Sequence, residues 1–94
     1  MVVYSDGFFY EWSEKKEIIV FIERGVTFEQ ILESIEQGAK TRVTPHWNTG
    51  KYPDQKILYC SMHNYIRYIP FKEHGNVRYL ITIIPSKKLT KKFL

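Results

Sequence analysis

Residues 56–84, KILYCSMHNYIRYIPFKEHGNVRYLITII, decide the fold. Three runs rich in β-branched and aromatic residues, 56–61, 65–71 and 77–84, are separated by Met62-His63-Asn64 and by Lys72 to Asn76. The pattern predicts three consecutive antiparallel strands. Along the last run, Val77, Tyr79, Ile81 and Ile83 form the more apolar set, so they are expected to face the helices, with Arg78, Leu80, Thr82 and Ile84 on the other side. A four-residue loop at 73–76 would pair Lys72 with Val77, bring Ile66, Tyr68 and Pro70 to the core face, and leave Arg67 near Thr82. Shifting that loop by one residue would bury Arg67 against Ile81, which is costly without a partner. A three-residue turn at 62–64 with Asn64 left-handed places Leu58 and Cys60 inward, Tyr59 and Ser61 outward. The register thus expects Tyr59, Tyr65, Arg67, Phe71 and Arg78 on one outer face, with the terminal lysines beside its edge. Arginines there offer bidentate phosphate contacts, and exposed aromatics can stack on bases.

Working outward, the upstream half reads as a strand and two helices. Phe8, Phe9, Tyr10 and Trp12 form a short aromatic strand after the turn-forming Asp6-Gly7. Ser13 is placed to cap a helix over 14–24, with Glu14 and Glu17 at its positive end and Gly25 closing it. Thr27-Phe28-Glu29-Gln30 fits a capping box, and Val26 and Ile31 fit a hydrophobic staple. Phe28, Ile31, Leu32 and Ile35 line one face of this second helix, and Gly38 can end it. Arg42 to Thr44 reads as a short strand before a polar loop, Pro45 to Asp54. Pro85-Ser86 ends the last strand, and Ser86 can cap a short basic helix whose Leu89 and Phe93 are four apart. The expected fold is therefore α+β: an N-terminal strand and two helices on one face of an antiparallel meander, in a single domain over residues 1–94.

Charge is split along the chain. Residues 1–38 hold three basic and eight acidic side chains, whereas residues 39–94 hold eleven basic and only two acidic ones, Asp54 and Glu73. A basic field on one region favours a polyanion such as RNA, DNA or an acidic protein segment. Lys87, Lys88, Lys91 and Lys92 make its steepest part. Cys60 is the only cysteine, inside an apolar run, where it is expected to be a small core residue in a reducing cytoplasm. Asp6, Glu11, Glu14 and Glu17 near the start do not fit a secretory signal, and the longest apolar run, Ile18 to Ile22, is too short to span a bilayer. His46, His63 and His74 fall in three loops without metal-ligand spacing, so no metal or cofactor is expected. Gly-rich phosphate loops, nucleophile elbows and paired carboxylates in the basic half are lacking too.

Taken in order, four motifs resemble the BrnT-type toxins, a branch of the RelE-like ribonuclease superfamily of type II toxin-antitoxin systems. Glu11-Trp12-Ser13 with Lys15 or Lys16 is similar to the family's opening, and Arg24-Gly25-Val26-Thr27-Phe28-Glu29 to its interhelical stretch. Tyr52-Pro53-Asp54-Gln55 resembles a signature of one branch, and Ile83-Ile84-Pro85-Ser86-Lys87-Lys88-Leu89-Thr90 the family's ending. The resemblance implies a metal-independent endoribonuclease that cleaves mRNA by 2′-hydroxyl attack on the adjacent phosphate, acting free or on the ribosome. It also implies a short DNA-binding antitoxin of ribbon-helix-helix type, competing with RNA for the sheet face away from the helices. Such chemistry needs cations on the phosphate and groups that move two protons. Arg67 and Arg78 are candidates for the first role, Lys87 or Lys88 for phosphate binding or acid work, and His63 or Tyr65 for proton transfer. Lys51, Tyr59, Lys88, Lys91 and Lys92 are candidate RNA contacts. Lys87 stands where the family ending has arginine, and Ile81-Thr82 where many relatives carry a basic residue, which points to weakened or altered activity. The alternative from another class is a noncatalytic basic module that binds nucleic acid or an acidic protein partner.

Overall fold

The computed structural model describes residues 2–93 and has the expected α+β class. In chain order the elements are β1 (Val2–Ser5), β2 (Phe8–Glu11), α1 (Glu14–Arg24), α2 (Phe28–Glu36), β3 (Thr41–Pro45), β4 (Gln55–Met62), β5 (Tyr65–His74), β6 (Val77–Leu80), β7 (Ile84–Pro85) and α3 (Lys87–Phe93). One sheet runs β1-β2-β6-β5-β4-β3, with β7 paired to β5. It is mixed rather than antiparallel throughout, because β2 lies parallel beside β6 while the other pairs are antiparallel.

Local chemistry accounts for the helix bounds. The Ser13 hydroxyl accepts from the Lys16 amide, and Gly25 at φ 71° supplies the left-handed end of α1. Thr27 and Gln30 exchange both capping-box hydrogen bonds at the start of α2. Replacing a capping threonine by alanine typically costs about 1 kcal/mol. Phe28, Ile31 and Leu32 are buried, and they meet Tyr10, Leu58, Cys60, Ile69, Phe71 and Leu80 in one core between the helices and a single sheet face. Asp6 and Gly7, both at positive φ, turn β1 into β2, adding a strand ahead of the aromatic one that the sequence marks.

The meander differs from expectation in register. His63 and Asn64 both have positive φ and close a two-residue turn, so Met62 pairs with Tyr65. The expected three-residue turn is one residue too long. Since side chains alternate along a strand, that single residue exchanges the two faces of β5. The next turn is the pair Gly75-Asn76 rather than a four-residue loop, and His74 pairs with Val77. Positive φ at Gly75 alone is the pattern of a type II′ hairpin. Consequently Tyr65, Arg67, Ile69, Phe71, Arg78 and Leu80 belong to the helix-covered face, together with Leu58 and Cys60. Ile66, Tyr68, Pro70, Val77 and Tyr79 lie on the opposite one, with Tyr59 and Ser61.

The last strand is also shorter than its sequence run. It ends at Leu80, and the chain then advances one extra residue before Ile84 pairs with Tyr68 and Pro85 with Arg67. The offset is that of a bulge, and it leaves Ile83 fully buried in the core. Among the described residues, no helix is long and apolar enough to cross a membrane.

Candidate nucleic-acid interface

Arg78 is held by the fold rather than presented to a ligand. Its Nε donates to Glu73 Oε1 at 2.9 Å, one terminal nitrogen donates to the Tyr10 hydroxyl at 3.1 Å, and its guanidinium lies 3.5 Å from the centre of the Phe8 ring. The side chain is only 12% exposed. Lys56 reaches the other Glu73 oxygen at 2.6 Å. The hydrogen bond from Lys56, helped by that from Arg78 and by both charges, holds the Glu73 carboxyl below its ordinary value of 4.5 against the opposing pull of burial. The cluster is a structural clamp on the β5–β6 hairpin.

Arg67 is half-buried at the other end of β5. It donates to the Met62 carbonyl at 2.9 Å and lies over the Tyr65 ring. Burial pushes the Cys60 thiol up, and the charge of Arg67 partly offsets this. Arg67 and Arg78 do share a sheet face, but it is the helix side. Arg78 pairs with Glu73, six residues along β5 from Arg67, so the two arginines are roughly 20 Å apart and cannot grip one phosphate. His63 is exposed in the hairpin turn next to Tyr65, at the Arg67 end. The catalytic set expected from sequence therefore does not assemble: Arg78 is tied down, and the rest is spread around the β4–β5 tip and α3.

A different set does converge, on the face away from the α1–α2 pair. α3 lies along this face, fastened by Thr90, whose hydroxyl accepts from the Ile66 amide at 2.9 Å and donates to the Ser86 carbonyl at 2.7 Å. Ser86 caps α3 by accepting from the Leu89 amide, as its sequence predicts. Between α3 and the β3–β4 ribbon runs an open groove of about 580 Å³. Lys40, Arg42, Tyr59 and Ser61 line one wall, Leu89, Lys92 and Phe93 the other, with Ile66 also in the lining. Arg42 is directly opposite Tyr59 across the ribbon, close enough for cation and ring to act on one ligand group. Among the described residues, no acidic side chain lines the groove.

Next to it, the loop after β3 packs an aromatic cluster on the same face. His46 is buried, accepts from the Asn48 amide through Nδ1, and sits 4.4 Å from Trp47 and 4.6 Å from Tyr52, ring to ring. Trp47 stands edge-on to Tyr68 at 5.3 Å, and Tyr68 is 6.4 Å from Tyr59. Although held by these contacts, Trp47 remains 63% exposed. Lys51 lies over the Tyr52 ring.

Of the expected RNA contacts, Tyr59 and Lys92 thus line the groove, and Lys51 belongs to the adjoining aromatic loop. Lys87, Lys88 and Lys91 are exposed on α3 without lining the groove. Lys40, Arg42, Ser61, Phe93 and Trp47 were not singled out from sequence. The alternation of Lys40, Arg42 and Thr44 with Thr41 and Val43 is the signal that could have placed the first two on one face. Among the described residues, no cluster of three or more His, Cys, Asp and Glu side chains could hold a metal ion. Compared with protein-family models, curated proteins and solved structures, the chain matches none.

Proposed function

We propose that this protein binds single-stranded RNA in the groove between α3 and the β3–β4 ribbon. The observation that carries this reading is the meeting of Lys40, Arg42 and Lys92 with the rings of Tyr59 and Phe93 in one open channel, lined by no acidic side chain among the described residues. Cations supply attraction to each phosphate, and a base stacked on an aromatic adds about 1 to 3 kcal/mol. A single strand fits better than a duplex, because its bases are free to reach the rings. Anisotropy of a labelled RNA oligomer in EDTA tests the proposal, with duplex RNA and an acidic peptide as competitors. Saturable, salt-sensitive binding of the single strand is expected. Binding of the peptide alone would replace this reading with that of an acidic-protein receptor.

The ribonuclease reading, a cytoplasmic BrnT-like toxin, has its support in the same channel rather than in Arg67 and Arg78. The Tyr59 hydroxyl beside Arg42 and Lys92 provides a proton-transfer group among cations, as 2′-hydroxyl attack requires. An antitoxin would then cover the groove with an acidic segment. Metal-independent appearance of RNA fragments with cyclic-phosphate ends, lost in Tyr59→Phe, distinguishes a nuclease from a binder.

A further inference from the structure

We propose that the path of the bound strand does not end at the groove but continues along a row of rings to Trp47, on which a further base of the same strand stacks. The inference rests on the RNA-binding reading and adds a second subsite to it. Tyr59, in the groove wall, is opposite Tyr68 across β4 and β5, and their rings are 6.4 Å apart. Trp47 follows at 5.3 Å from Tyr68, its plane at 81° to that ring. These two steps match the advance of about two to four nucleotides along a single strand. One strand can therefore hold its phosphates in the groove and lay a base on Trp47.

The condition of Trp47 singles it out. Trp12, the other tryptophan, is 2% exposed, whereas Trp47 keeps 63% of its surface open. Leaving so large a ring in water forfeits most of what its burial would contribute. Yet the ring is braced. His46, buried against it at 4.4 Å, is fixed on its own account by the Asn48 amide at Nδ1 and by the Tyr52 ring. The Asn48 carbonyl accepts from the Tyr52 amide at 2.9 Å, and its side-chain oxygen accepts from the Lys51 amide at 3.1 Å, so the loop is closed on itself. An indole already held in place loses little freedom when a base settles on it. Charge points to the same occupant. Asp54 is the one acid in the loop from Pro45 to Asp54, and it is engaged by Lys72 at 3.6 Å, while Lys51 lies over the Tyr52 ring. An open flat ring beside a cation, in line with a basic channel, suits an anionic strand that carries its own flat rings.

Labelled uridine tetramers and decamers test this, the tetramer being matched to the three cations of the groove and the decamer long enough to reach Trp47 as well. Trp47→Ala should lower the ratio of decamer to tetramer affinity about fivefold or more, the loss of one stacked base, and Trp47→Phe should restore part of it. At saturation the decamer should also quench the tryptophan emission of the wild type more than the tetramer does. Buried Trp12 is shielded from the strand, so the difference reports on Trp47. Binding that the paired Arg42→Ala and Lys92→Ala change weakens, but whose length ratio and quenching ignore Trp47, overturns the extension and leaves the groove reading standing. A lack of binding by either oligomer overturns both. An equal loss on both lengths, with a lowered melting temperature in Trp47→Ala, makes the ring a brace for its loop and overturns the proposal as well.

Discussion

Replacing Arg42 and Lys92 with alanine together should weaken RNA binding in a manner that depends on salt. The groove presents three cations, Lys40, Arg42 and Lys92. If each neutralises one phosphate, the slope of log affinity against log salt should be about −2 for a single strand, since each contact contributes about −0.7. Removing two leaves a slope of about −0.7. The lost contribution corresponds to about 25-fold weaker binding near 0.1 M salt but only about threefold near 0.5 M. Both side chains are exposed, so the fold should be untouched, and an unchanged thermal melt checks this. Anisotropy titrations at four or more salt concentrations give the slope. An unaltered slope, or an equal loss at every salt concentration, would refute the assignment of these residues to phosphate.

Other perturbations separate the clamp from the groove. Arg78→Ala removes hydrogen bonds to Glu73 and Tyr10 and the contact with Phe8, so it should cost about 2 to 4 kcal/mol in denaturant unfolding without changing the salt slope of RNA binding. Glu73 is held below 4.5, so its contribution to stability is present above that pH and is lost as pH falls through the lowered value. Acid titration of the melting temperature should show this loss, and Glu73→Gln should flatten it. Cys60, fully buried with its thiol pushed up, should react with a thiol reagent only at the rate of opening, with about stoichiometric release on adding denaturant.

The helices were legible because their determinants are local. Ser13, Gly25 and the Thr27–Gln30 box act within a few residues, and each is found in its expected bond. Which side of α1 faces the core was not legible. Its run of Ile18 to Ile22 is apolar nearly all round, so periodicity cannot say that Val20 alone points inward. The parallel contact of β2 with β6 was equally out of reach, as it joins residues nearly seventy apart through no sequence signal.

The misplacement of Arg67 and Arg78 on the outer face has one cause, the register of the meander. The case for an outer Arg67 rested on the cost of burying its charge, yet Arg67 is on the helix side with its guanidinium supplied by the Met62 carbonyl and the Tyr65 ring. Long side chains at the end of a strand can reach a partner, so the penalty used to fix the register did not apply there. Turn chemistry was the sounder guide, but His63-Asn64 lacks the glycine that usually marks a two-residue hairpin. Arg78 is the same problem at the other end. Its opposite number is Glu73, one of only two acids in the basic half, and each finds in the other the compensation that allows both to sit low in exposure. The arginines flanked by core aromatics were thus the ones the fold uses for itself. The cations proposed to meet RNA, Arg42 on the edge strand and Lys92 on α3, are exposed, and no acidic side chain among the described residues lines the groove beside them. Exchanging Glu73 for glutamine tests this division directly. Arg78 would lose its charged partner yet remain on the helix face, so RNA affinity should not rise, whereas an increase would mean that Arg78 can reach the groove after all.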